Sequence, residues 1–67
     1  MRAEFMTMFE TLTTRAGDIN AAHIVRISAL CVRRTGNYHE IDFNHGTEAR
    51  STTATEDDVN EFREAQL

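Results

Sequence analysis

The alternation of apolar and polar side chains is cleanest from Tyr38 to Phe43. His39, Ile41 and Phe43 fall on one face, and Tyr38, Glu40 and Asp42 on the other, which is the period of a half-buried strand. Upstream, His23 to Val32 carries Ile24, Val25, Ile27, Leu30 and Val32 and reads as a partner strand. Gly36-Asn37 lies between the two runs. Such a dipeptide is a hairpin signal, with glycine in the φ > 0 position of a type II′ turn. That turn predicts Leu30 opposite Phe43 and Val32 opposite Ile41 on the buried face, with Arg33 opposite Glu40 and Cys31 opposite Asp42 on the other. Ile24 to Ile27 is apolar on both faces, whereas the hairpin favours the even positions. A bulge near Ser28-Ala29 would reconcile the two.

The remaining elements follow from propensity and turn chemistry. Met8 to Thr14 reads as a first strand. Ala16-Gly17-Asp18 is a turn, Ile19-Asn20 a short extended piece, and Asn20-Ala21-Ala22 a tight turn or one helical turn. After Phe43, a three-residue loop Asn44-His45-Gly46 with glycine in αL would set Ile41 opposite Ala49 and Glu40 opposite Arg50. Thr47 to Thr53 is polar and reads as an edge strand. Thr55 is an N-cap, followed by three acids that favour a helix dipole. Val59, Phe62 and Ala65 form a narrow apolar stripe, which would lie across Leu30, Val32, Ile41 and Phe43. The expected fold class is α+β: a small antiparallel β-meander of four to five short strands with one C-terminal α-helix packed on one face.

Length changes the picture next. The chain has 67 residues, enough for one small domain, and a chain of this size buries only about 60% of its extended surface. Self-association is a common remedy. The first strand also carries Met8, Phe9 and Leu12, which do not all fit one face. A homodimer is therefore expected, built on the first strand or on the exposed sheet face. Cys31 is the one cysteine and has no internal partner, which fits a reducing compartment and predicts a cytoplasmic protein. No run approaches the roughly 20 apolar residues of a membrane helix, and no signal-peptide pattern is present. Glu4-Phe5 is what a common restriction site encodes, so residues 1–5 fit a cloning remnant as well as a native start. Residues 6–67 are then the single domain.

Charge narrows the partners. The formal net charge is −4. Up to Ala54 arginines and acids balance, so the whole excess lies in the last segment, from Thr55 onward. Every basic residue is arginine. Arg26, Arg33, Arg34 and Arg50 are candidates for contact with nucleic acid, with Tyr38 as the nearby aromatic. The predicted register sets Glu40 between Arg33 and Arg50, and net acidity disfavours nonspecific attraction to a polyanion. Glu56, Asp57, Asp58, Glu61 and Glu64 offer an acidic docking face for a basic protein partner, or simply a solvated helix face. The two copies of that helix would repel, so it is expected outside a dimer interface.

Catalytic chemistry has little support. His39 and His45 are separated by a strand length of roughly 20 Å, too far to share one ion within a subunit. His23 lies elsewhere, and no zinc-type spacing is present. The predicted neighbour of Cys31 is a carboxylate, which would repel a thiolate. No glycine-rich phosphate loop or supported carboxylate pair is found. The chain is read as non-enzymatic, with no cofactor and no metal.

One resemblance can be drawn from the residues. It rests on Thr11-Leu12-Thr13-Thr14, then Ile19-Asn20-Ala21-Ala22-His23-Ile24-Val25-Arg26-Ile27, then Ile41-Asp42-Phe43 with Gly46, then Thr55-Glu56-Asp57-Asp58-Val59. In that order they resemble the small FlbD-type bacterial proteins. These show a threonine-rich first strand, an isoleucine-asparagine step, an isoleucine-rich second strand, a glycine-turn hairpin and a short terminal helix. The likeness covers most of residues 9–62. It departs in the short segment between Thr14 and Ile19 and in Arg33-Arg34. It implies a small accessory or regulatory protein without catalysis and transfers no functional residues. The expected function is therefore a non-enzymatic binding or accessory protein of a bacterium, phage or mobile element, acting through protein–protein contact. A nucleic-acid-binding regulator is the alternative.

Overall fold

The fold is built outward from a strand whose alternation the sequence carries plainly. The computed structural model describes residues 10–66. Among these residues five strands run β1 (Thr11–Thr14), β2 (Gly17–Asn20), β3 (Ile24–Ile27), β4 (Tyr38–His45) and β5 (Glu48–Thr55), followed by helix α1 (Glu56–Ala65). All pairings are antiparallel between consecutive strands. A 3₁₀ turn at Ala21–His23 interrupts the meander and leaves a two-stranded sheet, β1-β2, beside a three-stranded sheet, β3-β4-β5. The α+β class and the C-terminal helix are as expected. Residues 1–5 and the Met8-Phe9 start of the expected first strand lie outside the described residues.

On β4, His39, Ile41 and Phe43 are buried, whereas Glu40 is exposed and Tyr38 and Asp42 are half-buried. The core is Leu12, Ile41, Ala54 and Val59, with Ile24, Ile27 and Phe62 packed against it. Leu12, Ile41 and Val59 are fully buried, and each such side chain contributes roughly 1.5–3 kcal/mol of transfer free energy. Helix α1 thus covers Ile41 as expected, but it does so together with Leu12 and Ala54. Leu30 and Val32 take no part in that cluster.

The reason is a different hairpin register. β3 ends at Ile27, which faces Ile41, with Arg26 facing Asp42 and Ile24 facing Phe43. The predicted pairs Leu30–Phe43, Val32–Ile41, Arg33–Glu40 and Cys31–Asp42 do not form. The turn is centred on Arg34-Thr35, where the Gly36 N–H donates to the Arg33 carbonyl at 3.1 Å. Gly36 is its fourth residue, at φ 138, a conformation only glycine adopts without strain. Two irregularities absorb the apolar excess. The register shifts between Ile24 and Arg26, leaving Val25 65% exposed. Ser28 then bonds to Glu40 and Cys31 to Tyr38, so Ala29 and Leu30 together stand across from His39 alone. The second irregularity is the bulge expected near Ser28-Ala29.

Ser28 explains why the ladder leaves its ideal course there. Its hydroxyl accepts the Glu40 N–H at 2.8 Å, a position a backbone carbonyl would otherwise fill. Its own carbonyl accepts from His39 Nδ1 at 2.8 Å. A carbonyl only accepts, so Nδ1 carries the proton.

The β4–β5 connection is shorter and lies later than expected. His45 faces Glu48 across Gly46-Thr47, and the ladder places Ile41 opposite Thr52, Glu40 opposite Thr53 and Phe43 opposite Arg50. Gly46 takes φ 66, as type II′ requires at its first central position. The expected pairs Ile41–Ala49 and Glu40–Arg50 are replaced. The tighter turn gives an eight-residue strand on each side.

Ile41→Ala should cost roughly 2–5 kcal/mol of unfolding free energy, enough to unfold much of a small domain. Val32, 67% exposed, should tolerate alanine within about 0.5 kcal/mol. Urea denaturation followed by circular dichroism reads both, and comparable losses at the two positions would reject this core.

Candidate binding surfaces

Period-two alternation that buries Ile41 turns its neighbour Asp42 to the opposite face of the sheet, where no helix lies among the described residues. Arg26 on β3 and Ser51 on β5 both reach Asp42, through Arg26 Nε at 3.3 Å and the Ser51 hydroxyl at 2.8 Å. A polar row therefore crosses three strands. The Ser51 hydroxyl, and then the Arg26 guanidinium, hold the Asp42 carboxyl below its ordinary value of 3.8. Both interactions favour the charged form.

The other predicted arginines are dispersed. Arg50 faces Phe43 on the opposite side of the sheet and pairs with Glu48 at 3.0 Å. The Arg33 guanidinium stands 5.7 Å from the centroid of the Tyr38 ring, within cation–π range. Arg34 is exposed in the turn. Thus Arg26, Arg33, Arg34 and Arg50 do not form one patch, and Glu40 is not the group that offsets them. Arg26 and Arg50 have carboxylates of their own.

The acidic helix divides by face. Thr55 caps it, its hydroxyl accepting the Asp58 N–H at 3.1 Å, and Glu56 accepts from the Asn37 side-chain amide at 3.2 Å. Glu56 and Asp58 are half-buried against the body, while Asp57, Glu61 and Glu64 are exposed along one side. The last three are the part of the predicted docking face that a partner can reach.

A cleft of about 640 Å³ opens where three elements converge. Arg15 from the β1-β2 turn, Tyr38 and Glu40 from β4, and Asp58 from α1 line it. The Arg15 N–H donates to the Thr53 carbonyl at 2.8 Å, which ties the β1-β2 turn to β5. Sequence reasoning did not bring these four residues together. They come from separate elements with no common spacing, and only the threonines around the turns hint at the junction. Thr14 is one of these: its hydroxyl accepts the Ala16 N–H at 3.1 Å and donates to the Gly17 carbonyl at 2.7 Å.

The histidines stay apart. His39 is buried on Ser28, His23 sits exposed in the 3₁₀ turn, and His45 is exposed at the end of β4. Among the described residues no group of three or more His, Cys, Asp or Glu side chains is placed to hold a metal ion. Cys31 bridges Tyr38 through backbone bonds, and its thiol lies 3.8 Å from the Ala29 carbonyl. Among the described residues no helix is long and apolar enough to cross a membrane. No protein-family model, curated protein or solved structure matches this chain.

The Asp42 row gives a pH dependence. A carboxyl held low in the folded state contributes stability that is present above its ordinary value of 3.8 and is lost as pH falls below it. Asp42→Asn should therefore flatten the fall in stability between about pH 4 and pH 2 relative to the parent chain. Thermal melts across that window measure this, and parallel curves would show that the row does not couple to folding.

Proposed function

We propose that this chain is a non-enzymatic binding or accessory protein that acts through protein–protein contact, as a homo-oligomer, in the cytoplasm. One observation carries the reading. β5 is paired along all eight of its residues on one side, yet its other side meets a described backbone group only where Arg15 reaches Thr53. An unpaired edge of this length is a ready template for another polypeptide. The resemblance to FlbD-type proteins, with its threonine-rich first strand and capped terminal helix, supports an accessory role. Leu12, one of the three first-strand side chains expected not to share a face, is fully buried in the chain's own core.

Nucleic-acid binding is the second reading, favoured by Arg33 over Tyr38 beside the exposed Arg34. A guanidinium stacked on a ring at a loop tip suits an unpaired base. It ranks below because the other two arginines are already paired and the chain is acidic.

Light scattering at roughly tens of micromolar, a range in which small interfaces are populated, should give more than one chain per particle. A monomer at that concentration would reject the homo-oligomeric part of the reading. Titration with single-stranded DNA and RNA should show no complex tighter than about micromolar at physiological salt. A salt-sensitive, submicromolar complex lost in Arg33→Ala/Arg34→Ala would move the second reading to first place.

A further inference from the structure

The open edge of β5 has a fixed polarity. Successive residues of a strand direct their backbone groups alternately to one side and the other. Arg15 approaches the Thr53 carbonyl from outside the sheet, and Glu40, opposite Thr53, turns its own backbone groups to Ser28 on β3. Thr53, Ser51 and Ala49 therefore point outward, while Thr52, Arg50 and Glu48 bond to β4. Among the described residues, no hydrogen bond reaches the backbone of Ser51 or Ala49 from outside. No proline or register shift blunts this strand. Its charged side chains in the open stretch are Glu48 and Arg50, one of each sign, both exposed on the same face and 3.0 Å apart.

We propose that this edge pairs with the same edge of a second copy, antiparallel, across a two-fold axis through Ala49. The inference rests on the reading of the chain as self-associating and supplies its interface. Outward residues must face outward residues across such an axis, which leaves three positions for it. An axis at Ser51 sets Ala49 against Thr53, whose carbonyl Arg15 already occupies. An axis at Arg50 sets the two guanidinium groups directly opposite each other, which is destabilising. An axis at Ala49 sets Glu48 of each copy opposite Arg50 of the other, twice, with only small methyl groups meeting at the centre. Because Glu48 and Arg50 already pair within one chain, the dimer closes a ring of four alternating charges.

The shape of the chain permits this register. The β1-β2 turn and the start of α1 lie at the Thr53–Thr55 end of β5. In the antiparallel arrangement each body lies beyond the Gly46-Thr47 turn of the other copy. The two acidic helices are then kept apart, as like charges require.

The test is a charge-swap cycle on the full chain, read by sedimentation velocity from roughly 10 to 500 µM. Glu48→Arg alone and Arg50→Glu alone each place like charges opposite each other twice. Each should weaken the dimer about tenfold or more, while the double variant E48R/R50E should restore parental affinity. Circular dichroism checks that each variant is folded. A second readout is independent of charge. In a Cys31→Ser background, Ala49→Cys should oxidise to a covalent dimer, because a hydrogen-bonded antiparallel pair separates Cα atoms by about 5.5 Å, within disulfide reach. Ser51→Cys should not. A dimer unaffected by both single reversals, or one cross-linked through position 51 and not 49, would overturn this interface and leave the homo-oligomeric reading in place. A parent chain that stays monomeric throughout would overturn both.

Discussion

Ile41 is the side chain on which the layers of this domain converge. It is fully buried, it faces Ile27 on one side and Thr52 on the other, and Leu12, Ala54 and Val59 close over it. One side chain therefore joins the three-stranded sheet, the two-stranded sheet and the helix. A chain this short buries only about 60% of its extended surface, and here the helix and the β1-β2 hairpin close over the same face of the sheet. The strict alternation of β4 makes that economy possible: the residue next to Ile41 is Asp42, and it anchors a polar row with Arg26 and Ser51 on the far face. Core and surface are set by the same period of two. A slip of one residue would exchange them.

Thr55 is the second constraint. It is the last residue of β5 and the N-cap of α1, so strand and helix are joined with no loop between them. The direction of the helix follows from the strand, and Val59 is delivered onto Ile41 within one turn of the cap. Glu56, Asp57 and Asp58 sit where the unpaired N–H groups and the helix dipole favour negative charge. Asn37 ties Glu56 back to the β3–β4 loop. Part of the acidic segment is thus accounted for by the helix itself, and only Asp57, Glu61 and Glu64 remain as surface available to others.

Much of this was legible in the sequence, and the failures have identifiable causes. The buried face of β4, the cap at Thr55, the Val59 and Phe62 stripe and the turn after Asn20 all depend on local rules. Those rules act over a few residues and were read correctly. The partner strand was not. Val32 and Leu30 have strand propensity, and a Gly-Asn dipeptide follows them, so the hairpin looked long and its turn tight. In the structure Ser28 diverts the ladder with its hydroxyl, and Ile27 faces Ile41 in place of Val32. β-Propensity reports fitness for a pleated surface and does not choose between two apolar runs that compete for one partner. The side-chain hydrogen bonds that decide it are long-range, and no spacing announces them. The β4–β5 turn was displaced for a similar reason: matching Ile41 with Ala49 looked better than matching it with Thr52, yet the helix above supplies the apolar contact. The same long-range character hid the junction of Arg15 with Thr53.

The break after β2 has a consequence for recognition. Had the five strands formed one sheet, β5 would still be its edge, but β1 and β2 would lie at the far side of β3. The 3₁₀ turn capped by Asn20 instead lets the β1-β2 hairpin fold back over the core face, where Leu12 joins Ile41 and Arg15 reaches Thr53. Among the described residues the hairpin therefore covers one end of the β5 edge, and nothing covers the rest. What remains runs from Glu48 to Thr52, with paired charges on one face and small polar or methyl side chains on the other. Such a surface offers a partner little apolar area. Its information lies in backbone polarity, in the position where Arg15 stops the ladder, and in the order of two opposite charges. A register-specific contact through a strand edge uses all three, whereas a contact through side-chain burial would use none of them.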